Sequence, residues 1–60
     1  MQKYEALKQL VANMEADVQK FYNGNNAAGT RVRKHLQDIK KACQEMRDEV
    51  QEIRTSRKEA

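Results

Sequence analysis

The sequence has 60 residues, a net charge of +3, 38% hydrophobic and 35% charged residues, and neither Pro nor Trp. A chain of this size buries only about 60% of its unfolded surface, so the core of a single copy is marginal and oligomerisation is the usual remedy. The lone Cys excludes an intrachain disulfide, and together with the lone His it provides too few ligands for a zinc site. We therefore expect neither a metal nor another cofactor.

The first predicted element is an amphipathic helix over about residues 2–22. Its apolar residues recur at alternating spacings of three and four, which is the a/d pattern of a heptad repeat. The residues at these positions are Tyr4, Leu7, Val11, Met14, Val18 and Phe21, and Leu10 lies beside them at a g position. An apolar stripe of this width is typical of a helix that packs in a bundle.

A turn is predicted at about residues 23–25, where Asn and Gly replace the apolar repeat. Gly24 can adopt a positive φ and end the first helix. Asn25 or Asn26 can cap the next helix by accepting a hydrogen bond from one of its first N–H groups. Ala27, Ala28 and Gly29 follow as a run of small residues, which allows two backbones to approach closely.

The second predicted helix covers about residues 26–56 and repeats the a/d pattern. Its a and d residues are Val32, Leu36, Ile39, Cys43, Met46, Val50 and Ile53. The short turn predicts an all-α antiparallel hairpin that forms a single domain over residues 1–60. Because the second helix is longer, we expect Met46, Val50 and Ile53 to extend beyond the first helix. This uncovered apolar surface predicts a homodimer in a four-helix arrangement.

The positive charge is concentrated in the middle of the sequence. Residues 23–41 carry five basic residues against Asp38 alone, a net charge of +4. In the heptad lettering, the e positions of the second helix are all basic, and three further basic residues lie near its start. The e residues are Arg33, Lys40, Arg47 and Arg54, and the additional ones are Arg31, Lys34 and Lys41. Such a row can contact a polyanion such as DNA, or it can pair with carboxylates of a neighbouring helix.

The start of the second helix combines features that favour an anion. A helix N-terminus carries partial positive charge, yet Arg31, Arg33 and Lys34 follow within two turns and no acidic residue lies in the first turn. This arrangement disfavours the isolated helix, and a bound phosphate would remove the repulsion. Asn25, Asn26 and Thr30 could add neutral hydrogen bonds to phosphate oxygens.

Residues 24–34 resemble the signature of the bacterial linker-histone-like (histone-one-like) nucleoid proteins, in which a short helix leads into a G-N-x-A-A-x-x-R-x-R-[K/T] turn and a second helix. The resemblance implies a DNA-associated protein and nominates Asn25, Arg31, Arg33 and Lys34 as functional residues. The best-known members continue into a basic tail rich in Lys, Ala and Pro. This sequence ends at Ala60 with an acidic-leaning segment, so we expect a short form whose folded part contacts DNA.

The leading hypothesis is therefore a nucleoid-associated protein that binds double-stranded DNA without sequence specificity through the phosphate backbone. The predicted DNA-binding residues are Asn25, Arg31, Arg33, Lys34, Lys40, Lys41 and Arg47. The alternative is a structural coiled-coil module without DNA binding. An enzyme is not expected, since the sequence has no Gly-rich phosphate loop and no volume for a closed pocket. It shows neither an apolar run that could cross a membrane nor a secretory signal, which predicts a cytoplasmic location.

Overall fold

The computed structural model describes residues 1–57 and shows a hairpin of two antiparallel helices. The helix α1 covers Gln2–Tyr22 and the helix α2 covers Asn26–Ser56. The prediction of an all-α helical hairpin is confirmed. The last three residues of the predicted domain, 58–60, lie outside the described residues. The hairpin is a rod of 50 × 15 × 14 Å, because two packed helices form a single layer with little interior.

The chain reverses through a glycine C-cap. Gly24 has φ 104°, a conformation that residues with a side chain rarely adopt, and this confirms the positive φ predicted for it. The Gly24 N–H donates to the carbonyl of Phe21, and the Asn25 N–H donates to that of Lys20, each at 3.0 Å. These two bonds form a Schellman motif, which satisfies carbonyl groups at the end of α1.

The start of α2 packs closely against the end of α1. Asn25 is the N-cap, as one of the two predicted alternatives, and its Oδ1 accepts a hydrogen bond of 3.1 Å from the Ala28 N–H. Ala28 is fully buried. A Cβ atom built on Gly29 would lie 2.7 Å from Cδ1 of Phe21, so the aromatic ring occupies space that only glycine leaves open. The small residues therefore allow the predicted close approach.

The two helices face each other mainly through their d and g positions. The predicted a/d seam is therefore wrong in the rotation of the helices about their own axes. The buried or half-buried d and g residues are Leu7, Leu10, Met14 and Asp17 of α1, and Ala28, Val32, His35, Ile39, Ala42, Met46, Glu49 and Ile53 of α2. By contrast, Val11 and Leu36, both at a positions, are each 50% exposed. The a residues lie at the edge of this seam: Val18, Gly29 and Cys43 are half-buried, whereas Tyr4, Val11, Leu36 and Val50 are exposed.

This rotation creates an apolar flank along one side of the hairpin, consisting of Tyr4, Val11, Leu36 and Val50, each at least 41% exposed. The a positions of both helices lie on the same side because antiparallel helices place equivalent flanks together. Residues of both helices line a groove of about 500 Å³ there: Leu7, Cys43, Met46, Arg47, Val50 and Gln51. Met46, which was expected to extend beyond α1, lines this groove together with Leu7 of α1, while Val50 is exposed and Ile53 is half-buried.

Candidate nucleic-acid interface

The surface of α2 that points away from α1 is basic along half of the helix. With d and g turned toward α1, the e, b and f positions point outward because they lie on the opposite side of the helical wheel. From residue 30 to residue 47 these positions carry only basic or neutral side chains, and every one is exposed. This outward basic face consists of Thr30, Arg33, Lys34, Gln37, Lys40, Lys41, Gln44 and Arg47.

The rotated seam decides between two interpretations of the basic e row. In an a/d hairpin, e residues flank the seam and can pair with carboxylates of the neighbouring helix. Here Arg33 and Lys40 lie on the side of α2 away from α1, and Arg47 borders the groove that Leu7 also lines. No ion pair within residues 1–57 involves any of the three. Pairing within the hairpin therefore does not neutralise this row. From Arg33 to Arg47 the row extends about 20 Å at 1.5 Å per residue.

Acidic side chains of α2 lie on a different side. Asp38, Glu45 and Glu52 occupy c positions, on the flank opposite the apolar one. The outward basic face ends at Asp48, whose Oδ1 accepts a hydrogen bond of 2.9 Å from Nε2 of Gln44. The charges of α2 are thus separated by side as well as by position along the chain. A polyanion approaching the outward basic face meets Lys and Arg before it meets a carboxylate.

The predicted site residues fall into three groups. Arg33, Lys40 and Arg47 form the e row, and Lys34 and Lys41 lie about 100° around the helix at f positions. Arg33 and Lys40 line one shallow depression of about 240 Å³ together with Leu36 and Gln37.

The other two predicted site residues lie apart from this face. The Asn25 side chain uses its oxygen as the helix cap, which leaves its NH₂ group as the donor for a ligand. Arg31, at a c position, is turned toward α1.

Arg31 is held by a carboxylate of α1. Its Nε donates to Oδ1 of Asp17 at 2.9 Å, while Nε2 of His35 lies 3.2 Å from Oδ2 of the same carboxylate. The Asp17 side chain is only 16% exposed, whereas that of Arg31 is 49% exposed. The hydrogen bond from Arg31 lowers the pKa of Asp17 below its ordinary value, and the hydrogen bond with His35 acts in the same direction. Arg31, a predicted DNA-binding residue, is therefore engaged within the hairpin while about half of its side chain stays exposed.

Asp17 and His35 were not among the predicted site residues. The sequence does contain a signal for them, because both occupy g positions close to the turn, where the neighbouring g residues Leu10, Ala28 and Ala42 are apolar. In an antiparallel hairpin the g positions of the two helices face each other. An acidic and a basic g residue close to the turn therefore indicate a pair across the helices, once the seam is known to include g.

Two further classes of site find no support in the described structure. Within residues 1–57, no group of three His, Cys, Asp or Glu side chains is placed to hold a metal ion. Neither α1 nor α2 is long and apolar enough to span a bilayer.

Comparison with known protein families gives a match that covers both helices and the turn. The family model described as "Histone H1-like protein Hc1" matches residues 1–56. No curated protein and no solved structure matches the chain significantly. The match includes the turn motif, the start of α2 and the whole outward basic face. The chain therefore belongs to the histone H1-like protein Hc1 family.

Proposed function

We propose that the hairpin binds double-stranded DNA without sequence specificity and acts as a histone-like, nucleoid-associated protein of the bacterial cytoplasm. The observation that carries this proposal is the outward basic face, which is free of carboxylates from residue 30 to residue 47. Membership of a histone H1-like family supports the same role, and it favours binding and packaging over catalysis.

The chemistry of the outward basic face fits phosphate contact more closely than base recognition. Its side chains are Arg, Lys, Gln and Thr, all of which donate hydrogen bonds to phosphate oxygens. The e row extends about 20 Å, and duplex DNA presents phosphates about 3.4 Å apart along each strand. The five cations of this face are Arg33, Lys34, Lys40, Lys41 and Arg47. If each contacts a phosphate, a plot of the logarithm of the binding constant against the logarithm of the salt concentration has a slope of about −4 to −5 per copy.

The decisive experiment measures binding to several unrelated duplexes by fluorescence anisotropy over a salt series. Arg33→Gln should weaken binding to every duplex by a similar factor and reduce the salt slope by about one unit, because one phosphate contact is lost. Lys3→Gln is the matched control, since it removes the same charge near the start of α1. Its effect on the slope should be much smaller.

Two outcomes would contradict the proposal. One is that Arg33→Gln and Lys3→Gln have equal effects, which would mean that only net charge matters. The other is that the triple change of Arg31, Arg33 and Lys34 to Gln leaves affinity and salt slope intact. Circular dichroism should show unchanged helicity for Arg33→Gln, because this side chain has no partner among the described residues of the hairpin.

We further propose that the binding unit is a homodimer formed through the apolar flank, with a second copy as the occupant. The described hairpin exposes 5154 Å². A compact monomer of 7.0 kDa is expected to expose about 4000 Å². Its only fully buried apolar residue is Ala28, so a single copy lacks a closed core within the described part of the chain. Dimerisation would form a closed core and would place two outward basic faces on one particle.

A structural interaction module without DNA binding is the second candidate, and the same apolar flank favours it. A groove lined by Leu7, Cys43, Met46 and Val50 is a suitable surface for a partner helix. This candidate predicts normal assembly but no duplex binding at physiological salt. It also predicts that Arg33→Gln alters assembly, which the proposed DNA-binding function does not.

A further inference from the structure

Asp17 occupies an unusual place for a protein whose partner is a polyanion. It lies in the seam near the turn and directs its carboxylate at the basic start of α2, where Oδ1 accepts the hydrogen bond from Arg31 at 2.9 Å. The other oxygen faces His35 at 3.2 Å. The carboxylate is largely covered, but half of the Arg31 side chain remains accessible to a ligand. A negative group is therefore built into the end of the hairpin where an anion is expected to bind.

We propose that Asp17 competes with DNA phosphate for Arg31. Its carboxylate binds Arg31 in the free hairpin and is displaced when a phosphate of DNA binds the guanidinium group. The inference rests on the proposed DNA-binding function and adds its regulation. A residue of α1, Asp17, sets the affinity of the start of α2 for DNA phosphate. Carboxylate and phosphate compete because both are recognised by the N–H donors of the same guanidinium group.

The energetic balance allows this exchange. An ion pair with a half-exposed partner is weakened by solvent and by salt, so breaking it costs little. A duplex offers closely spaced phosphates and gains entropy from released counterions, which a single carboxylate does not. While Asp17 holds Arg31, however, the pair has no net charge and contributes little to the attraction of DNA. Asp17 therefore lowers the affinity of the free hairpin for DNA without abolishing it.

The test compares two variants of α1 that remove one negative charge each. Asp17→Asn frees Arg31, whereas Glu15→Gln removes an exposed carboxylate that makes no described contact. We expect Asp17→Asn to tighten binding to an arbitrary duplex by about threefold to tenfold beyond the effect of Glu15→Gln, and to raise the salt slope by about one unit. In an Arg31→Gln background this difference between the two variants should vanish, because the released group is then absent.

A measurement on the unaltered protein keeps the proposal testable if Asp17→Asn does not fold. NMR can follow the Nε–H resonance of Arg31 and the carboxyl carbon of Asp17 during titration with duplex. Both signals should shift as the duplex saturates, because the hydrogen bond between the two groups is exchanged for one to phosphate. In the Arg31→Gln variant the pKa of Asp17 should rise toward its ordinary value.

Several results would overturn the inference. Equal duplex affinities for Asp17→Asn and Glu15→Gln would do so, as would an Asp17→Asn effect that persists without Arg31. An Arg31 resonance unchanged at saturating duplex would have the same meaning. The proposed function would survive these results if Arg33→Gln still reduced the salt slope. Absence of salt-dependent duplex binding by the unaltered protein would instead overturn both proposals.

Discussion

At the scale of single residues, the turn follows from local rules that the sequence makes visible. Gly24 adopts φ 104°, and Asn25 caps the next helix through its own side chain. Both features depend on neighbours within a few positions along the chain, which is why the sequence predicts them. Nothing lies within 4 Å of a Cβ built on Gly24, so the backbone conformation alone requires glycine there.

A substitution at this position separates backbone strain from packing. Gly24→Ala should lower the free energy of unfolding by about 1–2 kcal/mol, because an L-residue is strained at this φ even where space is free. Gly24→Asn should cost less, since Asn tolerates positive φ better than Ala does. Thermal melts followed by circular dichroism, at one fixed protein concentration, measure both changes. Equal melting temperatures for Ala and glycine at this position would contradict the Schellman motif.

Lowering the pH should show how much the Asp17 carboxylate contributes to the stability of the folded hairpin. Its pKa is lowered in the folded hairpin, mainly by the hydrogen bond from Arg31, relative to an ordinary value of 3.8. The carboxylate therefore stabilises the hairpin at pH values above this ordinary value, and the contribution disappears as the pH falls through the lowered pKa.

Melting temperatures from neutral pH down to about pH 2 test this expectation, since the interval spans the ordinary range of carboxyl groups. The unaltered protein should lose stability in the acidic part of the range. Asp17→Asn should be less stable at neutral pH and should lose less on acidification. Identical pH profiles for the two proteins would show that Asp17 contributes no pH-dependent stability.

At the scale of the elements, the a/d repeat predicts that both helices are amphipathic but not how they are rotated. The apolar stripe of α1 includes Leu10 at g, so it is wide enough for either an a/d or a d/g seam. The choice is made by contacts between the helices, among them the burial of Ala28 at g and the hydrogen bond from Arg31 to Asp17 at g. Such contacts join residues of different helices, and heptad spacing does not record them.

The same rotation explains why the predicted site separates into parts. Compared with an a/d seam, α2 is rotated about its own axis. The e row therefore lies toward the outward side instead of at the edge of the seam. The rotation also brings Arg31 at c toward Asp17 of α1. The basic residue types and their spacing were visible in the sequence. Which of them would be neutralised within the hairpin depended on the rotation, and Arg31 is the residue for which this matters most.

At the scale of the whole molecule, the shape of the hairpin argues for a second copy. Its radius of gyration is 15.3 Å, whereas a compact chain of this length is expected to have about 10 Å. The excess reflects a rod with little interior, and the apolar flank runs along this rod. A dimer that buries the flank would leave most of the outward basic face exposed, with Arg47 at the boundary between the two surfaces. Assembly and DNA contact would then use largely different sides of the molecule.

This separation gives a prediction about assembly. Val11→Gln combined with Leu36→Gln should dissociate the dimer, because polar side chains would replace two half-exposed apolar ones at its centre. Lys41→Gln is a matched control, since it alters an exposed f position on the outward basic face and should leave the mass unchanged.

Sedimentation or light scattering at micromolar concentration measures the outcome directly. The unaltered protein should have about twice the chain mass of 7.0 kDa, and the double variant should approach the mass of a single chain. Because the proposed dimer would supply the closed core that a single hairpin lacks, helicity should also fall and should become dependent on protein concentration. A fully helical monomer before any substitution would contradict the proposed dimer. It would also imply that the outward basic face contacts DNA as a single copy, with the shallower salt slope of about five phosphates.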